Sequence, residues 1–204
     1  MLAYLFWHRP RDPDAAGPYE DALVAFHRSL ARSLPVGTRA SATFRVAELP
    51  WLAPAQDLAT GAAVAGGYED WYLLDDFAAL GVLNEAAVGR GHRSTHDEAA
   101  HRFGEGAGGL YGLIEGEPCA EALGEATTAA WVARPPGSER RGLGELLGDG
   151  MDPAHASLWR RQLVFGPAPE FCLLAAEVPS GVAATRLPEG WSSTILDREA
   201  LWSG

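Results

Sequence analysis

Three of the six histidines fall within ten residues of one another, at His92, His96 and His101. Imidazole exchanges a proton near neutral pH and is the commonest metal ligand, so such a cluster points either to acid–base work or to a metal. The spacing argues against the metal. Thr95 with Glu98 three residues on reads as a capping box, which leaves His92 in the preceding loop. His96 and His101 are five residues apart, about 140° around a helix, and do not share a face. An ion would need further ligands from His8 or His155, and metal-binding histidines come in converging sets. No metal is expected. A haem held by one axial histidine is the remaining cofactor alternative, without an axial motif to support it.

His8 ends an aromatic stretch beside Trp7. It is either a general base at a pocket mouth or a strand-end histidine bonded to backbone or solvent. Trp71 and Tyr72 are adjacent in a strand, so one faces helices and the other the opposite side. The residues singled out as ligand-binding are His8, Trp71, His92 and His96; the catalytic residues are not assigned. Asp75, Asp76 and Glu85 offer carboxylates, but Asp76 reads more simply as a helix N-cap.

Other chemistries are excluded. The sixteen basic residues are all arginine. Without a lysine there is no Schiff base and no phosphate-loop amine. The glycine run from Gly104 to Gly109 leads into a strand, whereas a dinucleotide loop opens a helix. No nucleophile elbow occurs. Cys119 and Cys172 stand far apart, in no ligand spacing. A net charge of −11 would repel phosphate backbones, so no nucleic-acid partner is expected. No apolar run approaches the ~20 residues of a membrane helix. The opening Met1 to His8 lacks the basic start of a signal peptide, and a cytoplasmic location is expected.

The elements that would carry these residues follow from periodicity. Leu2 to His8 reads as a central strand, with Tyr4, Phe6 and His8 on one face. Tyr19, Ala22, Leu23, Phe26 and Leu30 form a helical stripe, with His27 off it. Residues 39–49 alternate as a half-buried strand. Residues 53–67 form a long small-residue insertion, or a short helix around Gln56 to Val64. Residues 69–76 read as a buried strand. Phe77, Leu80, Leu83 and Ala87 share one helix face. A short helix runs from His96 to Phe103, a flexible loop from Gly104 to Gly109, and a strand from Leu110 to Ile114. In the second half, strands are expected at Thr127 to Arg134, Ser157 to Phe165, Phe171 to Val178 and Ser193 to Leu196, with a weak helix at Ser138 to Leu147.

The first half is β-α-β-β-α-β, a ferredoxin-like order. Two echoes suggest that it recurs. Trp7-His8-Arg9-Pro10 resembles Val132-Ala133-Arg134-Pro135, and Trp71-Tyr72-Leu73-Leu74 resembles Phe171-Cys172-Leu173-Leu174. The expected fold is α+β: a ferredoxin-like unit at 1–116, a connector at 117–126 and a degenerate second unit at 127–204, their antiparallel sheets facing each other. By strand order and these echoes, the chain resembles the dimeric α+β barrel superfamily in its duplicated single-chain form. Members include cofactor-free monooxygenases, haem enzymes and small-molecule isomerases, so the resemblance chooses no reaction. The aromatic-rich sheets point to a monomer or homodimer that binds a small apolar or aromatic molecule between them, either as a simple binder or as a cofactor-independent enzyme. The rival is a structural or interaction module with a filled core.

Overall fold

A computed structural model of the chain describes residues 1–52, 55–56, 63–64, 66–89, 91–137, 155–177, 182 and 187–204. The chain runs β1 (Leu2–Pro10), α1 (Ala16–Arg32), β2 (Thr38–Val46), β3 (Ala55–Gln56), β4 (Ala63–Val64) and β5 (Gly67–Leu74). It continues through α2 (Phe77–Val88), α3 (Arg93–Arg102), β6 (Phe103–Glu115), α4 (Ala120–Glu125), β7 (Thr128–Ala133), β8 (Ser157–Arg161), β9 (Phe171–Ala175) and β10 (Ser192–Ser203).

The eight long strands close into one antiparallel barrel in the order β1-β5-β2-β10-β7-β9-β8-β6. This corrects the expectation of two opposed sheets. β2 pairs with β10 and β6 with β8, so the edges of each half hydrogen-bond to the other half. Closure leaves the barrel itself no strand edge to be satisfied by water. Within the ring, β6-β1-β5-β2 and β10-β7-β9-β8 are contiguous, and each half has the order fourth, first, third, second.

The barrel interior is filled. Strand alternation sends Trp7, Phe44, Trp71, Tyr111, Trp131 and Trp159 inward, all fully buried. An eight-stranded barrel is just wide enough for its own side chains. An ion pair is sealed among them. Glu69 accepts from Trp7 Nε1 at 2.8 Å and from Trp71 Nε1 at 2.6 Å, and Arg198 Nε lies 3.1 Å from its Oε1. The Arg198 guanidinium also sits 3.5 Å over the Phe44 ring. Burial pushes the Arg198 pKa down, and Glu69 works against that shift. The expected pocket between the sheets is therefore replaced by tryptophan.

The helices α1, α2 and α3 lie on the outside of β1, β5 and β2. Helix α1 buries Tyr19, Ala22, Leu23, Phe26, His27 and Leu30. His27 thus belongs to the buried stripe. Asp76 caps α2, its carboxylate accepting from Ala79 N at 3.0 Å. The buried stripe of α2 is Ala79, Leu83 and Ala87, while Phe77 is exposed. Thr95 does not cap α3: the helix begins two residues earlier, and the Thr95 hydroxyl donates to His92 O at 2.9 Å.

The glycine run is strand, not loop. β6 starts at Phe103 and pairs along β1 from Pro10 to Leu2. Its glycines make room for aromatic rings. A Cβ on Gly108 would lie 2.9 Å from the Tyr4 ring, one on Gly106 2.9 Å from Phe6, and one on Gly109 2.8 Å from Trp7. β8 stops at Arg161, ahead of a turn in which Leu163 takes a φ of 51°. β9 ends at Ala175, and β10 extends past Leu196 to Ser203. Where the short helix around Gln56 to Val64 was expected, both ends are strand, Ala55–Gln56 pairing with Ala63–Val64. Residues 57–62 and the expected helix at Ser138 to Leu147 lie outside the described residues.

Candidate functional site

Tyr4, Phe6 and His8 of β1, and Tyr68, Asp70 and Tyr72 of β5, point out of the barrel toward the helices. The antiparallel register sets Tyr4 opposite Tyr72, Phe6 opposite Asp70 and His8 opposite Tyr68. Six residues of two strands thus make one continuous patch. Helix α1 lays Tyr19, Phe26 and His27 over it.

Asp70 is the centre. Its Oδ2 lies 3.2 Å from His8 Nε2, and its Oδ1 lies 3.4 Å from His27 Nε2. The Tyr72 hydroxyl donates to Oδ2 at 3.2 Å and also lies 3.5 Å from His27 Nε2. On its far side, His8 Nδ1 is 2.7 Å from the Tyr19 hydroxyl. His27 stacks on Tyr72 with ring centroids 5.2 Å apart. All five side chains are buried.

This cluster is not fully satisfied. The imidazoles are near Asp70 but do not make aligned hydrogen bonds to it. His8 Nε2, His27 Nδ1 and Asp70 Oδ1 are buried atoms without a hydrogen-bond partner. Burial by itself would raise the Asp70 pKa. The charges of His8 and His27 and their contacts more than offset that, and hold the carboxyl well below its ordinary range. Burial, and then the negative charge of Asp70, push the Tyr4, Tyr19 and Tyr72 hydroxyls up, so they remain protonated donors.

Two cavities open on this patch. One of about 270 Å³ is lined by His8, Tyr19, Asp70 and Tyr72 at its polar end, and by Phe26 and Phe103 among its apolar walls. A second of about 570 Å³ lies under α2 and shares Phe6, Phe26, Tyr72 and His96 with the first. A groove of about 530 Å³ near Arg9 and Glu20 lies at the other end of α1, and its guanidiniums are matched by carboxylates.

The four residues singled out from sequence are scattered. His8 forms part of the polar end, and His96, its side chain 32% exposed, stands where the cavities meet. Trp71 points to the opposite face of β5, inside the barrel, with its N–H on Glu69. His92 ties α3 to α1, its Nδ1 2.9 Å from Ser29 Oγ and its Nε2 3.1 Å from Ser33 O. His101 Nδ1 sits 2.7 Å from Asp97 O. Among the described residues, no three ligating groups converge as a metal site. Asp70, His27, Tyr19 and Tyr72 were not singled out. Period-two counting was the available signal: it places Tyr68, Asp70 and Tyr72 on one face, and an Asp between two tyrosines there is an anomaly.

No protein-family model and no curated protein matches the sequence. Solved structures do resemble the fold. A protein from Lactobacillus acidophilus NCFM, provisionally described as a monooxygenase, superposes with a TM-score of 0.51 at 7% identity, over 99% of this chain and 97% of that chain. An anthrone oxidase-like protein gives a TM-score of 0.44 at 10% identity, over 98% of this chain and 93% of that one. At such identities neither similarity carries a ligand or a reaction to this chain.

Proposed function

We propose that the protein binds a small aromatic or apolar molecule in the helix-side cavities and removes a proton from it without a cofactor. The observation that carries this is the Asp70 carboxylate, buried and held ionised between two imidazoles in a cavity wall, with the Tyr19 hydroxyl on the far nitrogen of His8. A buried carboxylate whose pKa is shifted by named charge partners, set in the wall of a cavity, is the kind of group that clusters at functional sites.

The roles follow from the geometry. With Nε2–H facing the Asp70 carboxylate, His8 Nδ1 holds the lone pair and accepts from the Tyr19 hydroxyl, so a proton leaving the ligand reaches His8 through Tyr19, which passes its own proton to Nδ1. Asp70 stabilises the imidazolium that results. Tyr72 and His27 hold Asp70 in place, which makes them positioning residues. Phe26 and Phe103 offer ring faces to an aromatic ligand. The proton ends on His8, and the deprotonated ligand, a phenolate or enolate, is the electron-rich form that can give one electron to dioxygen, the ligand radical and superoxide then joining as a peroxide. That is consistent with the description of the similar Lactobacillus structure.

The fold reading within this proposal is a fused pair of ferredoxin-like units, 1–116 and 127–204, joined by 117–126. It is supported by the matching strand order of the two halves. In that form the second unit takes the place a partner subunit would occupy. The rival reading, a structural or interaction module, draws support from the filled barrel, and the cavities beside Asp70 on the helix side weigh against it.

The test is deuterium exchange at the enolisable CH₂ of α-tetralone, an aryl ketone, followed by proton NMR. Wild-type protein should accelerate exchange, and His8→Ala should remove the acceleration while staying folded. His8→Ala and His96→Ala should both weaken binding of 4-methylphenol. Exchange no faster than in buffer, with binding unchanged in both variants, overturns the reading.

A further inference from the structure

We infer that the ligand of this site has two parts, an aromatic ring bearing an ionisable hydroxyl and an aliphatic chain attached to it; this deepens the proposed function and rests on it. The two cavities differ in chemistry. The smaller combines the His8 and Asp70 end with aromatic walls, and at about 270 Å³ it suits little more than a substituted ring. The larger is walled by Leu80, Leu83, Ala87 and Val88 of α2. Among the described residues its lining holds no carboxylate and no arginine. A second charged group placed there would meet no partner of opposite charge, whereas an alkyl chain would cover the apolar side chains of α2.

The cavities meet rather than merely neighbour. Phe6, Phe26, Tyr72 and His96 line both, so they form a waist between ring and chain. Phe26 packs edge-on to His96 with centroids 5.6 Å apart, which gives the waist an apolar side. A molecule whose hydroxyl reaches His8 therefore has its far end directed toward α2.

Gly81 offers a way to close the larger cavity alone. It lines that cavity, and a Cβ built on it meets nothing within 4 Å. A side chain there projects into open space, and removing a mid-helix glycine favours the helix. Gly81→Phe should fill the chain compartment and leave the ring compartment untouched. Asn84→Trp, from an exposed position one turn along the same lining, does the same by a second route.

The experiment is calorimetric titration with 4-methylphenol, 4-butylphenol and 4-heptylphenol. In the wild type, Kd should fall by up to about fourfold per added CH₂, the ~0.8 kcal/mol of burying a methylene. In Gly81→Phe and Asn84→Trp that gain should vanish while 4-methylphenol binds as before. If 4-methylphenol binds the wild type but chain length makes no difference, the two-part ligand is wrong and the ring site stands. If the chain-length gain survives in both folded variants, the chain lies elsewhere and the inference is equally wrong. If none of the phenols binds, the proposed function falls as well.

Discussion

His8 and Asp70 are diagonal neighbours across the β1–β5 pair, with Nε2 and Oδ2 3.2 Å apart. His8 stands opposite Tyr68 and Asp70 opposite Phe6, so the contact runs one step along the outer face. The strands are held by ladder hydrogen bonds on both sides, which makes the pair rigid before any ligand arrives. Preformed geometry of this kind is what general-base chemistry needs.

Asp70→Asn should preserve the shape of the cluster while removing its negative charge. The imidazolium of His8 then loses its stabiliser, and the exchange rate with α-tetralone should drop by about 10² or more. Binding of 4-methylphenol should change much less. A rate unaffected by the substitution would remove Asp70 from the mechanism.

The same carboxyl makes a pH prediction. Its folded pKa lies below the ordinary value of 3.8, so the unfolded chain binds the proton more readily. The stability Asp70 contributes is therefore fully present above 3.8 and is lost as pH falls below that value toward the folded one. Urea denaturation between pH 5 and pH 2 should show a loss on acidification that is smaller in Asp70→Asn. Parallel curves would contradict the assignment.

Glu69→Gln probes the other face of the same strand. It leaves Arg198 as an unpaired charge among tryptophans, at a cost of about 3–5 kcal/mol. Replacing both partners, as Glu69→Gln with Arg198→Met, should recover much of that, because it removes the lone buried charge and the glutamine oxygen still accepts from an indole N–H. The urea midpoint measures both, and 4-methylphenol affinity should stay unchanged in the double variant because the cavities lie outside the barrel.

The glycines sort by what their Cβ would meet. Gly109→Ala drives a methyl against the Trp7 ring at 2.8 Å, inside the packed barrel, and should destabilise by about 1–3 kcal/mol. Gly17→Ala, in α1 with nothing within 4 Å, should be neutral or stabilising by up to ~1 kcal/mol. Thermal melts of the two variants should shift in opposite directions or differ clearly in size.

His92→Ala and His96→Ala separate anchoring from binding. His92 bridges Ser29 and Ser33, so its loss should lower the melting temperature with little effect on Kd. His96 stands at the waist, and its loss should raise Kd with little effect on melting. The reverse pattern would reassign both.

Periodicity alone located α1, β1, β2, β5, β7, β8 and β9, and only one end each of β6 and β10, because a face that must be buried repeats every two residues or every 3.6. It also put Tyr4, Phe6 and His8 on one side of β1. Composition alone removed lysine chemistry. Three things required the tertiary structure. The Gly104–Gly109 run became strand because aromatic rings of β1 lie where its side chains would be. The cavities lie beneath the helices and not between the sheets, because four inward tryptophans fill the barrel. Asp70 and His27 became partners although 43 residues separate them, since strand register and helix rotation together decide which polar side chains meet. A sequence states which face a residue takes; what waits on that face is set by how the elements pack.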